Sequence, residues 1–365
     1  MTAERTSTGP ASPRPQPTVD FGRRMYRIGP RDRPMLLLDA RSVRVCAVLW
    51  AATILLAFYA ITSGSAQITV SEALTALFGR GDDYTTMVVA EWRAPRVLMA
   101  ILLGTCLAAS GSIFQNLTGN PLGSPDIIGF QTGSFTGALI VMLVLGGGSA
   151  ATMAGALTGG LVTALLVFVL SIRRGAVRGV RLIIVGIGVS AMLGSANVWI
   201  QLTATVEDAI MAGLWGAGNL SGVTWPTFLL VLTVSAAFLA AATLLARPMK
   251  LTRIGVPFAT ALGQKVRAVQ VAAVVIGVGL TALATATVGP ISFIALAAPQ
   301  IARRLVHTDG LALGPTAAVG SLLLLLADVT AQRIHPDSPL PVGIVTVCIG
   351  GLYFLWLLMR EGRTR

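Results

Sequence analysis

The chain has 365 residues, a mass of 37.8 kDa and a formal net charge of +12, with 54% hydrophobic and only 12% charged residues. Soluble domains carry about 25% charged residues, and the mean hydropathy here is +0.78. These values exclude a soluble enzyme, a disordered chain and a nucleic-acid binder, and they predict an all-α polytopic membrane protein of about ten transmembrane helices, each about 20 residues long.

Residues 1–44, rich in Arg, Pro, Ser and Thr, predict a disordered cytoplasmic tail. A secretory signal is the rival reading, because Ser63-Gly64-Ser65-Ala66 follows an apolar run. The tail is too long for the basic segment of such a signal, and the run at 45–61 is long enough to remain as the first span. A transmembrane domain then occupies 45–360, with a cytoplasmic C-terminus at 361–365.

Further spans are predicted at 97–114, 127–145, 153–172, 182–202, 227–246, 269–288, 291–305, 312–329 and 342–359. The 291–305 segment is short and holds Pro299 and Gln300, so a re-entrant segment is its alternative. With ten crossings and both termini inside, 23 of the 27 basic residues fall on the cytoplasmic side, leaving Arg80, Arg93, Arg96 and Arg333 outside. Losing the short span gives a poorer distribution, so the positive-inside rule favours ten. The basic excess is therefore topology.

Small residues recur four apart at Gly129, Gly133 and Gly137, and again at Gly186, Ser190 and Gly194. Such stripes let helix backbones approach closely in lipid. Cys46, Cys106 and Cys348 lie singly in apolar runs, and the two histidines, His307 and His335, fall in predicted loops. No metal-ligand spacing and no phosphate-binding GxxxxGK[ST] loop exists, so no metal or cofactor is expected on this chain, and any ATP chemistry belongs to another subunit.

Four regions carry possible mechanism. The external loop at 62–96 predicts an interfacial helix with Val70, Leu74, Leu77 and Phe78 on one face after a cap at Ser71. It ends on Arg93-Ala94-Pro95-Arg96, two cations set against the charge bias. They either anchor in headgroups or form ion pairs with carboxylates of an external protein. Between spans two and three, Gln115, Asn116, Asn120 and Pro121 sit in an irregular polar stretch. Together with Asn197 and Gln201, one turn apart in span five, they either hydrogen-bond helices together or wall a translocation path. Asp328, ionisable inside a span, demands a partner or a function. The internal loop at 247–267 suits short helices along the membrane, held by charge or by a cytoplasmic protein.

Ordered motifs run along the chain from about 62 to 360. They are Arg93-x-Pro95-Arg96, Ser110-Gly111-x-x-Phe114-Gln115, Asn120-Pro121-Leu122-Gly123-x-Pro125, Arg181-Leu182-Ile183, and Trp215 with Gly218-x-Leu220-Ser221-Gly222. Ala259-x-x-Leu262-Gly263, Gly289-Pro290-Ile291-x-Phe293-Ile294, Ala327-Asp328 and Pro341-Val342-Gly343-Ile344 continue the series. This set resembles the FecCD family, the permeases of ATP-binding-cassette importers for iron–siderophores, haem and vitamin B12. Segments such as Thr86-Met87-Val88-Val89-Ala90-Glu91-Trp92-Arg93 and Gly350-Gly351-Leu352-Tyr353 are like its branch for catecholate ferric siderophores of the enterobactin kind.

The resemblance implies a ten-span permease of the vitamin B12 importer type in the bacterial cytoplasmic (inner) membrane. It would pair with a second, different permease subunit and carry no catalytic residue. Arg93 and Arg96 would meet acidic residues of an external siderophore-binding protein, and Ala259, Leu262 and Gly263 would meet a cytoplasmic ATPase dimer that uses ATP and Mg. Three departures accompany it. Gly119 and Gln300 stand where Arg and His are common, and Gly255-Val256-Pro257-Phe258 replaces a commoner acidic run in the ATPase-facing loop. A cation-coupled secondary transporter is the main rival of another class. It would need intramembrane carboxylates or histidines, of which Asp328 is nearly the sole example.

Overall fold

The computed structural model describes residues 25–28, 36–64, 68–77, 79–173, 176–177, 179–308, 310–335 and 338–361. The disorder expected over 1–44 and the cytoplasmic tail at 361–365 fall largely outside these residues, as does Phe78. Within 1–44, however, strands β1 (Met25–Ile28) and β2 (Leu36–Asp39) pair antiparallel, so this region is not structureless throughout. Helix α1 (Ala40–Thr62) begins five residues earlier than the apolar run, because the Asp39 carboxylate accepts from the Ser42 N–H and hydroxyl, both at 3.2 Å, and caps the first turn.

From Val45 onward the chain is a bundle of helices. After α1 come α2 (Val70–Leu77), α3 (Asp83–Thr86), a π-helical stretch (Met87–Arg93) and α4 (Ala94–Thr118). Helix α5 (Phe130–Leu139) continues into a second π-helical stretch (Ile140–Val144). It is followed by α6 (Ser149–Ser171), a short hairpin of β3 (Ile172–Arg173) with β4 (Ala176–Val177), and α7 (Gly179–Thr203). The remainder is α8 (Val206–Gly216), α9 (Trp225–Ile254), α10 (Val256–Ala261), α11 (Val266–Val288), α12 (Ile294–Val306), α13 (Leu313–Ile334) and α14 (Val342–Glu361).

Seven helices among the described residues are long and apolar enough to cross a membrane. The other three expected spans correspond to shorter helices: α5 with its π-helical extension, α12 with 13 residues, and α14, whose described apolar part is Val342–Tyr353. At 1.5 Å per residue α12 covers about 20 Å of a core roughly 30 Å thick. Both α5 and α12 are preceded by non-helical chain, at 119–129 and 289–293, and this shortens them.

The external stretch differs from the loop expected at 62–96. Asp83–Thr118 runs as one helical segment of 36 residues, so Arg93 and Arg96 sit on a helix. Helix α2 does form, with Val70, Leu74 and Leu77 exposed along one face while Ala73 and Ala76 pack on Val89. Its cap is Thr69 and not Ser71: Thr69 Oγ1 accepts from Glu72 N (3.3 Å) and Glu72 Oε2 accepts from Thr69 N (2.8 Å), a reciprocal capping box. That backbone hydrogen bond from Thr69 holds the Glu72 carboxyl below its usual range.

Helices α4 and α11 form the buried centre, and α4 packs on α9, α11, α12 and α13. Leu103, Leu107, Ala295, Leu324 and Leu325 fill the principal core. The α4–α13 approach is possible because Gly104 and Gly320 face each other; a Cβ on either would strike the other's carbonyl. In the first small-residue stripe, Gly133 and Gly137 abut Gly155 and Gly159 of α6, while Gly129 abuts Ser190 of α7. In the second, Gly186 touches the Ile128 backbone, but Gly194 has open space beside it and packs nothing.

Candidate functional site

Three layers of the bundle hold the residues that the sequence singles out. On the layer at the start of α4, Arg96 reaches across to Asp328 of α13. Its Nη2 donates to Asp328 Oδ1 at 2.7 Å and its Nε to Oδ2 at 3.1 Å. Gln332 Nε2 donates to Oδ2 (2.8 Å) and Arg96 Nη1 to Ser221 Oγ (3.2 Å), so the pair is embedded in a network. Asp328 is fully buried and the Arg96 side chain is 15% exposed. The intramembrane carboxylate thus has its cation, and Arg96 is committed inside the chain instead of standing ready for an external carboxylate. Two anomalies in the sequence, an arginine against the charge bias and an aspartate within a span, could have been matched to each other.

Arg93, one turn earlier, donates from Nη1 to Ile61 O at 3.0 Å and is only half-buried. Beside it Trp225 Nε1 donates to Ala90 O (2.8 Å), and Arg333 lies over the Tyr59 ring at 5.1 Å. The exposed Trp92, Tyr84 and Leu77 share this end of the molecule.

The second layer is a polar seam where α4 meets α12. Gln115 Nε2 donates to Leu296 O (3.0 Å), and Arg303 Nη2 donates to Gln115 Oε1 (2.6 Å). Gln300 Nε2 donates to Pro121 O (3.0 Å). Asn120 turns inward on its own segment, with Oδ1 accepting from Leu122 N (2.8 Å), and Gly119 ends α4 in the left-handed region at φ 63°. Asn116 lies in the same turn of α4 with both amide atoms buried and without hydrogen-bond partners. Gln115 and Pro121 are therefore brought together by α12 and belong to one brace.

Asn197 and Gln201 are elsewhere. Helix α7 meets the 119–129 segment at Gly186 and Ser190, the nearer of them seven residues before Asn197, a rise of about 10 Å. Gln201 Nε2 donates to Asn197 O (3.1 Å), which leaves the buried Asn197 Oδ1 without a partner. The six residues expected to line one path thus do not form one patch within this chain. Gln131 and Arg303 carry no mark in the sequence, and Gln300 stands out there only beside Pro299 and as a departure from His, because an isolated amide or a terminal arginine shows nothing of its distant partner.

The third layer is the region 247–267. Helix α9 carries on to Ile254 through Pro248, so 247–267 is largely helix. Gln264 Nε2 donates to Pro248 O (2.7 Å) and ties the turn after α10 back to α9. Leu262, Phe258, Val256 and Ile254 are exposed at 70%, 66%, 52% and 65%, an apolar surface running from the end of α9 across α10. Ala259 is 1% exposed and points the other way, which corrects its assignment as a contact residue: it seats α10. Gly263 has φ 78°, a conformation that the turn after α10 requires and side-chain-bearing residues avoid.

Seven described helices long and apolar enough to cross a membrane, packed around braced non-helical segments at 119–129 and 289–293, define a polytopic membrane protein. Residues 52–360 match the FecCD transport family, and the chain belongs to that family. It is 45% identical over 331 residues to the ferric enterobactin transport system permease protein FepG of Escherichia coli (strain K12), covering 91% of this chain and all of that one. It is 34% identical to the hemin transport system permease protein HmuU of Yersinia pestis, over 75% of this chain and 85% of that protein. Among solved structures, a metal-chelate type ABC transporter in an inward-facing conformation superposes with a TM-score of 0.74 at 25% identity, covering 87% of this chain and 99% of the other.

Proposed function

We propose that this chain is the membrane permease subunit of an ATP-binding-cassette importer that carries a ferric siderophore across the bacterial cytoplasmic membrane. The observation that carries the reading is the 45% identity that extends over the whole of FepG. The cargo class follows from that relative: a catecholate chelate of the enterobactin kind. Haem is the second reading, favoured by the 34% identity to HmuU, with cobalamin beside it as the other cargo of this family.

The permease has ten crossings with both termini in the cytoplasm, α5, α12 and α14 counting as spans despite their length. It works with a second, different permease of the same family, and the cargo passes at their shared face. The Gln115–Arg303 and Gln300–Pro121 braces, with Asn120, shape the turn beside that path, and Gln201 lies on its outer part. An external siderophore-binding protein docks at the end bearing Arg93, where Arg96 serves as the strut that holds the rim. The exposed face at Phe258 and Leu262, with the turn at Gly263, receives a cytoplasmic ATPase dimer. That face is apolar where an acidic run is common, so the coupling contact is one of burial and shape. This chain binds no cofactor; ATP and Mg belong to the ATPase, which shifts the pair of permeases between inward- and outward-open populations.

The test is uptake by cells with and without the chain, using iron-labelled catecholate and hydroxamate chelates, labelled haem and labelled cobalamin, each with and without ATP depletion. ATP-dependent loss of catecholate uptake alone is expected. Loss of haem or cobalamin uptake instead would keep the importer and change its cargo. Uptake that survives ATP depletion and follows an ion gradient would replace the importer by a secondary transporter.

A further inference from the structure

The two non-helical segments ahead of α5 and α12 meet each other. Asp126 Oδ2 accepts from Phe293 N (3.0 Å), Gln131 Nε2 donates to Ile291 O (2.8 Å), and Ser292 Oγ donates to Gln131 Oε1 (3.3 Å). Phe293 takes φ 69°, a left-handed conformation unusual for a phenylalanine, so contacts from both sides hold this junction. A cavity of about 440 Å³ opens beside it, lined among others by Asp126, Gln131, Thr132, Ser292, Val347 and Cys348.

Asp126 has a second oxygen that none of this satisfies. Oδ1 is buried and makes no hydrogen bond of ordinary geometry; the buried Ser124 hydroxyl lies beside it and acts on the carboxyl at longer range. No countercharge faces it among the described residues. Helices α5 and α6 have no ionisable side chain, and α7 meets the segment through Gly186 and Ser190. Helix α8 ends at the cavity on Gly216 and Ala217, and α14 presents Gly343, Ile344, Val347 and the Cys348 thiol. The cations of α12, Arg303 and Arg304, lie in its last turn, about 15 Å along the helix from Phe293. Asp328 shows the contrast: it is fully buried with a guanidinium at 2.7 Å, whereas Asp126 is part-buried, with Oδ1 shut away and no cation beside it. A carboxylate taken from water without a cation is far less stable than the neutral acid.

We propose that Asp126 is a proton-binding site at the junction of the two broken segments, protonated on Oδ1 in this conformation while Oδ2 accepts from Phe293 N. The proton comes from water in the adjoining cavity. An O–H bond of cavity hydronium breaks as the Oδ1–H bond forms, and the reverse occurs when the start of α12 moves away and lets water solvate the carboxylate. Ser124 Oγ and cavity water are the acceptors within reach of that proton.

Infrared difference spectra of the chain, purified with its co-expressed partners in lipid nanodiscs and free of any chelate, test this directly. Wild type minus D126N at neutral pH is expected to show a carboxylic-acid C=O band, lost only on raising the pH well above neutral. If Asp126 contributes only carboxylate bands at neutral pH, the proposal is wrong. Sodium- or potassium-dependent carboxylate bands with no acid band would also overturn it, assigning a metal-cation site instead. Should D126N fail to assemble, D126E supplies the same assignment, since it keeps the acid and shifts its band. The readout needs no cargo, so a wrong cargo assignment leaves it intact.

Discussion

Arg96 and Asp328, 232 positions apart, form a two-pronged ion pair that joins the start of α4 to α13, with Nη2–Oδ1 at 2.7 Å and Nε–Oδ2 at 3.1 Å. Two charges that would each be costly within a membrane protein cancel locally, and Gln332 and Ser221 take up remaining hydrogen-bonding capacity. Arginine suits this place better than lysine because its planar fork matches the carboxylate.

Arg96→Ala leaves Asp328 buried and unpaired, at a cost of about 3–5 kcal/mol. The expected outcome is a sharp fall in the amount of permease recovered from membranes and a lower melting temperature of the purified assembly. The double variant Arg96→Leu with Asp328→Leu removes both charges and is expected to recover much of that loss. If the double variant is as unstable as the single one, the pair does more than neutralise itself.

Arg93 is the better probe of external docking, since it is half-buried and lies beside exposed Trp92. Arg93→Glu is expected to leave expression near normal and to weaken capture by the external binding protein, most strongly at low salt. At about 0.1 M salt the screening length is about 10 Å, so the difference from wild type narrows as salt rises. Equal affinity for both proteins across the salt series would make Arg93 a headgroup anchor.

The exposed and buried faces of α10 separate coupling from folding. Leu262→Arg and Phe258→Glu alter side chains that are 70% and 66% exposed, so the permease should accumulate normally but lose its ATPase on co-purification. Ala259→Asp places a carboxylate at a position 1% exposed and should instead lower permease abundance itself. Gly263 is a poorer probe, because its φ of 78° penalises any side chain whether or not a partner touches it.

Gln300→Ala removes the donor from the Pro121 carbonyl and is expected to cost about 1–3 kcal/mol of local stability. Hydrogen exchange should speed up at Gly123 and Ser124, whose amides close the following turn on Asn120 and Leu122, without a matching change in α9 or α11. Unchanged exchange there would mean that the turn holds its shape alone.

Most of what is local was legible in the residue order. Apolar runs located the long helices, the four-residue spacing at Gly133 and Gly137 anticipated the close approach to α6, and the mixed apolar and basic run after α9 anticipated the short helix α10. The same kind of reading failed at Gly194, whose spacing matches but whose neighbour is open space. It also missed the continuation of helix from Asp83 through Arg96, where charged residues interrupt hydropathy without interrupting the helix.

Hydropathy and spacing are properties of adjacent residues, and they determine which stretches enter lipid and which faces can approach. They say nothing about which turn of α13 stands opposite Arg96, or which carbonyl Gln300 and Gln131 will find 179 and 160 positions away. Those pairings, and the difference between a paired Asp328 and an Asp126 with no cation beside it, come from the packing of helices that converge from distant parts of the chain. The free energy of a buried polar group depends on its spatial neighbours, and only the assembled bundle supplies them.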